Sequence, residues 1–115
     1  VRLEVTIDCA DPAQLAPFWG EALHYTQVAV PAPYAQLVPE SGDGVAVVLQ
    51  RVPEPKTTKN RVHLDLYVDD LDAEVDRLLS LGAVRIEPEL VTGQDCTWVV
   101  MADPEGNEFC VCHNA

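Results

Sequence analysis

The chain lacks any uninterrupted apolar run approaching the ~18 residues of a membrane helix, so no membrane span is expected. It is poor in cations: 7 Lys and Arg stand against 19 Asp and Glu, a formal net charge of −12 over 115 residues. That balance argues against nucleic acid and anionic membranes as partners and is compatible with a cationic ligand. No CxxC pair occurs among the four cysteines, Cys9, Cys96, Cys110 and Cys112. No thiolate therefore has the spacing of a soft zinc site, and the cysteines are expected to be small buried hydrophobes. Cys110 and Cys112, two apart, share one strand face. No secretory leader pattern is visible, and a cytoplasmic location is the default expectation.

What is present suffices for one ordinary domain, since a chain of this length with 48% apolar residues can bury a core. "LEVTIDC" (3–9) alternates, with Leu3, Val5, Ile7 and Cys9 on one face and Glu4, Thr6 and Asp8 on the other, the mark of a half-buried strand. Asp11 is a suitable N-cap and Pro12 suits the first helical position. Leu15, Phe18, Trp19 and Leu23 follow at helical spacing, and the helix is expected to end near His24. "YTQVAV", "YAQLVP" and "GVAVVLQRV" then read as three strands broken by prolines and "SGDG". "PEPKTTKN" (53–60) reads as a linker.

The pattern then restarts. "VHLDLYV" (62–68) alternates, with Val62, Leu64, Leu66 and Val68 opposite His63, Asp65 and Tyr67. Asp70 caps a helix carrying Leu71, Val75, Leu78 and Leu79, which stops at Gly82. "VRIEPEL", "TWVVMA" and "EFCVC" complete the strands, and "DPEGN" supplies hairpin-turn chemistry with Gly106 at positive φ. The chain is thus two copies of strand–helix–strand–strand–strand, in which Asp11 aligns with Asp70 and Glu4 with His63 at one offset of 59 residues. The expected fold is α+β: two tandem βαβββ modules, 1–52 and 61–115 joined by linker 53–60, form a single domain. They make a cupped, mostly antiparallel sheet with helices on the outer face. The apolar faces of the first and fifth strands are expected to pack on the helices, and the polar faces to line the concave side.

Three segments, "TIDCADPAQLAPFWGEALHY", "RVHLDLYVDDLDAEVDRLLSLGA" and "WVVMADPEGNEFCV", give the whole chain a resemblance to the vicinal oxygen chelate superfamily, closest to its glyoxalase-like subgroup. That superfamily includes glyoxalase I, extradiol dioxygenases, and fosfomycin- and bleomycin-resistance proteins. The resemblance implies a divalent metal held by residues on the first and last strands of each module. His63 and Glu108 match such positions in the second module. Glu4 falls at the first-module position usually held by His or Gln, and the fourth position is Val48 or Gln50. His24 stands where a Gly usually ends the first helix.

One His with two carboxylates, Glu4, His63 and Glu108, is an acceptable site for Zn, Ni, Mn or Fe. The metal would act as a Lewis acid in lyase or isomerase chemistry, with Glu108 or Glu4 doubling as base. Asp8, Asp65, Tyr67, Gln50 and Trp98 are candidates for lining the ligand pocket. Extradiol dioxygenase chemistry is disfavoured because its triad of two His and one carboxylate is missing, and a fosfomycin-type transferase would want more basic residues. The alternative is a metal-free protein that sequesters a cationic, drug-like ligand, as bleomycin-resistance proteins do. Either way the expected partners are a small molecule and a second copy of the chain, because two open modules leave sheet edges to cover.

Overall fold

The computed structural model describes residues 1–87, 91–93 and 95–114. It is an α+β structure of two tandem modules, divided into compact units Val1–Lys56 and Thr57–Ala115. The first unit runs β1 (Glu4–Cys9), α1 (Pro12–Leu23), β2 (Tyr25–Val28), β3 (Tyr34–Pro39) and β4 (Ala46–Arg51). Its sheet has the order β1-β4-β3-β2, with β1 parallel to β4 and the remaining pairs antiparallel. The second unit runs β5 (Leu64–Tyr67), α2 (Leu71–Ser80), β6 (Val84–Arg85), β7 (Val91–Gly93), β8 (Cys96–Ala102) and β9 (Glu108–Asn114). Its sheet has the order β5-β9-β8-β6, with β7 also paired to β8 and β5 parallel to β9.

The helices begin where the sequence indicates. Asp11 Oδ1 accepts from Gln14 N at 3.3 Å and Asp70 Oδ1 from Ala73 N at 3.1 Å, so each aspartate satisfies a first-turn amide that the helix cannot. α1 ends with His24 in the left-handed region at φ 56, so a side-chain-bearing residue fills a position that favours glycine. α2 ends in a Schellman arrangement: Gly82 N donates to Leu79 O at 3.1 Å and Ala83 N to Leu78 O at 3.0 Å, with Gly82 at φ 112.

Each module builds its core between one sheet face and one helix. In the first, Leu15, Phe18 and Trp19 of α1 are buried with Ala35, Leu37, Val47 and Leu49. The Phe18 and Trp19 rings meet edge to face at 5.2 Å. In the second, Val75 and Leu78 of α2 are buried with Val99, Met101, Phe109 and Val111. α1 lies mainly against β2, β3 and β4, and α2 against β9. β1 and β5 are edge strands of their sheets, and a helix covers most apolar area over the inner strands.

Three expectations are corrected. Val62 and His63 precede β5 rather than belonging to it, and Val62 is 80% exposed instead of packing inward. Leu79 of α2 is exposed; Val75 and Leu78 carry the buried stripe. Among the described residues of the strand expected over 84–90, only Val84–Arg85 form one, β6, and 88–90 lie outside the described residues. β7 pairs further along β8, with Val91 opposite Trp98 where β6 has Val84 opposite Ala102. β6 and β7 thus both pair with β8 on the side away from β9, so the described residues fit the βαβββ order.

The turn "DPEGN" between β8 and β9 is organised by Asp103, the one buried charged residue among those described. Its Oδ1 accepts from Glu105 N at 2.8 Å and Asn107 N at 3.0 Å, its Oδ2 from Asn107 Nδ2 at 2.9 Å, and Gly106 takes φ 90. Replacing Asp103 by Ala would strip three donors of their acceptor. It is expected to destabilise the protein by about 1–3 kcal/mol, read as a lower urea midpoint, whereas Glu105→Ala at the same turn should change it little.

Candidate functional site

β9 lies between β5 and β8, and its alternation sorts the second module into two faces. Phe109 and Val111 are fully buried on the helix side. Glu108, Cys110, Cys112 and Asn114 take the opposite side. The register sets Asp65 beside Cys110 and Tyr67 beside Cys112 on β5, and Val100 beside Cys110 and Trp98 beside Cys112 on β8. On this face an open pocket of ≈ 620 Å³ forms, lined by His63, Asp65, Tyr67, Trp98, Cys110 and Cys112 among others.

At the β5 edge of the pocket three donor groups converge. His63 Nε2 stands 3.2 Å from Asp65 Oδ1. One ligand atom each from His63, Asp65 and Cys110 lie within 4.8 Å of one another. Ligands around one tetrahedral ion at ~2.0–2.3 Å are separated by somewhat less than this, so small side-chain rotations would suffice. Imidazole nitrogen, carboxylate oxygen and thiol sulfur together form a borderline donor set of the kind zinc accepts. Neighbouring strands, not spacing along the chain, bring Cys110 beside His63 and Asp65.

The other candidate residues fall in two places. Glu108 is half-buried; its Oε1 accepts from Asn60 N at 2.9 Å, and its backbone carbonyl accepts from Asn60 Nδ2 at 3.0 Å. It stands outside the three-residue cluster and fastens the chain that leads to His63. Glu4, Asp8 and Gln50 belong to the first unit. There Glu4 pairs with Arg2 at 3.3 Å and accepts from Gln36 Nε2 at 3.5 Å. Asp8 is the register partner of Gln50, while Val48 is that of Thr6, so both candidates for the fourth position share the face of Glu4 and Asp8.

Burial favours the neutral form of two of the thiols, Cys110 and Cys112. Burial pushes the Cys110 thiol up, helped by the Asp65 charge and a hydrogen bond to Asp65, while Lys59 acts in the opposite sense. Cys112 is pushed up to about 12, first by burial, then by the charges of Asp65, Cys96 and Cys110 and a hydrogen bond with Cys96. The exposed Tyr67 hydroxyl is also raised, chiefly by Cys112 and then by Cys96.

Residues 4–112 match the family model of the glyoxalase-like domain. The chain belongs to that family. Its glyoxalase-like fold places it in the vicinal oxygen chelate superfamily. Among solved structures it is similar to a glyoxalase/bleomycin resistance protein/dioxygenase family enzyme from Burkholderia phytofirmans, at 17% identity over 97% of each chain, with a TM-score of 0.80. It is also similar to the fosfomycin resistance protein FosX from Listeria monocytogenes, at 12% identity over 100% of this chain and 93% of that one, TM-score 0.79. A FosX variant from the same organism, complexed with Mn(II) and 1S,2S-dihydroxypropylphosphonic acid, gives 10% identity over 94% and 85%, TM-score 0.75. At these identities the likeness is one of fold. No curated protein matches the chain. Among the described residues no helix is long and apolar enough to cross a membrane.

The raised Cys112 pKa sets a pH dependence for this glyoxalase-like domain. The unfolded thiol ionises near 9.0 and the folded one near 12. The unfolded state therefore releases its proton first, and the stabilising difference is complete below 9.0 and lost as pH rises towards 12. Urea midpoints should fall as pH rises above 9.0, and Cys112→Ala should flatten that decline relative to its own midpoint at neutral pH.

Proposed function

We propose that this glyoxalase-like domain binds a small organic ligand in the second-module pocket together with a divalent metal ion held by His63, Asp65 and Cys110. The carrying observation is the convergence of those three donors at the edge of an open pocket. The Mn(II) complex of the structurally similar FosX supports the reading by analogy of fold. When bound, the ion would supply Lewis-acid polarisation of a substrate oxygen, in keeping with lyase or isomerase chemistry.

The chain's own residues supply the remainder. His63 Nε2 and Asp65 Oδ1, 3.2 Å apart, already stand about as far apart as two ligands of one ion. Trp98 and Tyr67 offer aromatic surface for the ligand, and Cys112 with Val100 adds apolar lining. Glu108 positions the approach to His63 through Asn60 in this reading, so its part is to hold the site rather than to abstract a proton. The protein is proposed to act in the cytoplasm as a homodimer. Light scattering at micromolar concentration should give twice the chain mass of 12.6 kDa, and a single chain mass would oppose it.

A second reading is favoured by the charge. With a net −12 and with Asp65, Tyr67 and Trp98 around the pocket, a cationic aromatic-stacking ligand could be sequestered without metal. Melting curves separate the two. Zn²⁺, Ni²⁺ or Mn²⁺ in excess over chelator should raise the wild-type melting temperature, by the equivalent of about 2.7 kcal/mol at a hundredfold excess over Kd. His63→Ala should abolish that gain while changing the chelated protein by less than about 1 kcal/mol, since His63 is exposed. If no metal raises the wild-type value, or if the variant responds equally, the metal reading fails and sequestration takes its place.

A further inference from the structure

The few cations of this acidic chain are unevenly placed. Of the 7 Lys and Arg, Arg51, Lys56, Lys59 and Arg61 fall in the segment 51–61, which holds a single acid, Glu54. Part of that segment is fastened beside the second-module pocket. Asn60 N donates to Glu108 Oε1 at 2.9 Å, and Asn60 Nδ2 to the Glu108 carbonyl at 3.0 Å. These bonds hold the backbone next to Lys59 against the start of β9. Lys59 lines the pocket, the one cationic side chain to do so among the described residues. It forms no ion pair with a described carboxylate. Its charge reaches the Cys110 thiol, where it opposes the upward push of burial.

The charge that a ligand meets there differs from the chain's total. Salt screens charges beyond ~8 Å at physiological ionic strength, so the acids of distant surfaces count for less than Lys59 and Asp65, which line the pocket. Asp65 already faces His63 at 3.2 Å, whereas the Lys59 ammonium is uncompensated. A lysine ammonium is a compact point charge. A singly charged carboxylate balances it, while a phosphate dianion calls for several donors. Trp98 supplies aromatic surface beside Cys112, two residues along β9 from Cys110, a step of ~7 Å. An aromatic ring joined to a carboxylate by a short arm spans that step.

We infer that Lys59 sets the ligand class of this pocket: a small aryl carboxylate, whose carboxylate pairs with the Lys59 ammonium while its ring lies against Trp98. The inference rests on the reading that the pocket takes a small organic ligand, and it stands whether or not His63, Asp65 and Cys110 hold an ion. It opposes the cationic ligand that the net charge alone favours.

The test is calorimetric titration of the full chain, under chelator, with three probes that share one body and differ in charge: 1-naphthylacetate, 1-naphthylacetamide and 2-(1-naphthyl)ethylammonium. The carboxylate should bind most tightly, about fivefold more tightly than the amide, the scale of an exposed ion pair. That margin should shrink as salt is raised. Lys59→Gln should remove it by weakening the carboxylate alone, and Lys59→Arg should keep it. Lys59 is exposed, so both variants are expected to fold. Equal binding of carboxylate and amide by the wild type, tightest binding of the ammonium, or a margin that survives Lys59→Gln would each overturn the assignment of Lys59 and leave a ligand pocket in place. Failure of all three probes to bind would overturn it together with the pocket reading.

Discussion

The register of β9 between its two neighbours is the constraint on which the second module depends. With Leu64 opposite Phe109 on one side and Met101 opposite Phe109 on the other, the odd residues of β9 enter the core and the even ones face the pocket. A slip of one residue would exchange the faces, burying Glu108 and exposing Phe109 and Val111, which are now 0% exposed. The turn before β9 fixes that phase. Asp103 gathers three donors, and Asn107 O accepts from Asp103 N at 2.8 Å, so the chain enters β9 in one position only. The Asn60–Glu108 pair then secures the segment running into β5, and His63 emerges beside Asp65.

Local signals made much of the fold legible in the sequence. Asp11 and Asp70 cap helices because carboxylates there satisfy free amides, and Gly82 and Gly106 mark positive φ. The offset between the two aspartates exposed the repeat, from which the βαβββ order follows. Exposure at the ends of elements was less legible: Val62 continues the alternation of β5 on paper, but the strand starts after it, and nothing local marks that start.

The candidate site was readable in its parts and not in its assembly. Parity alone places Glu108, Cys110 and Cys112 on one face of β9, and Asp65 with Tyr67 on one face of β5. Which of the three meets His63 and Asp65 depends on hydrogen-bond register between strands more than 40 residues apart, and alternation carries no information about that. The bonds of Glu108 to Asn60 are non-local for the same reason. Cysteines are ordinarily small core residues, and Cys9, whose thiol donates to Gln50 O at 3.7 Å, fits that description. Cys110 and Cys112 satisfy it in exposure yet border a pocket, so their chemistry becomes visible only when the sheet is assembled.

The central claim is that Cys110 joins His63 and Asp65 around one ion. X-ray absorption at the zinc edge of metal-loaded protein tests it most directly. A single sulfur scatterer at about 2.3 Å is expected, with the remaining shell of nitrogen and oxygen, and Cys110→Ser should remove it selectively. A shell of nitrogen and oxygen alone in the wild-type protein, or a sulfur contribution that survives Cys110→Ser unchanged, would contradict it.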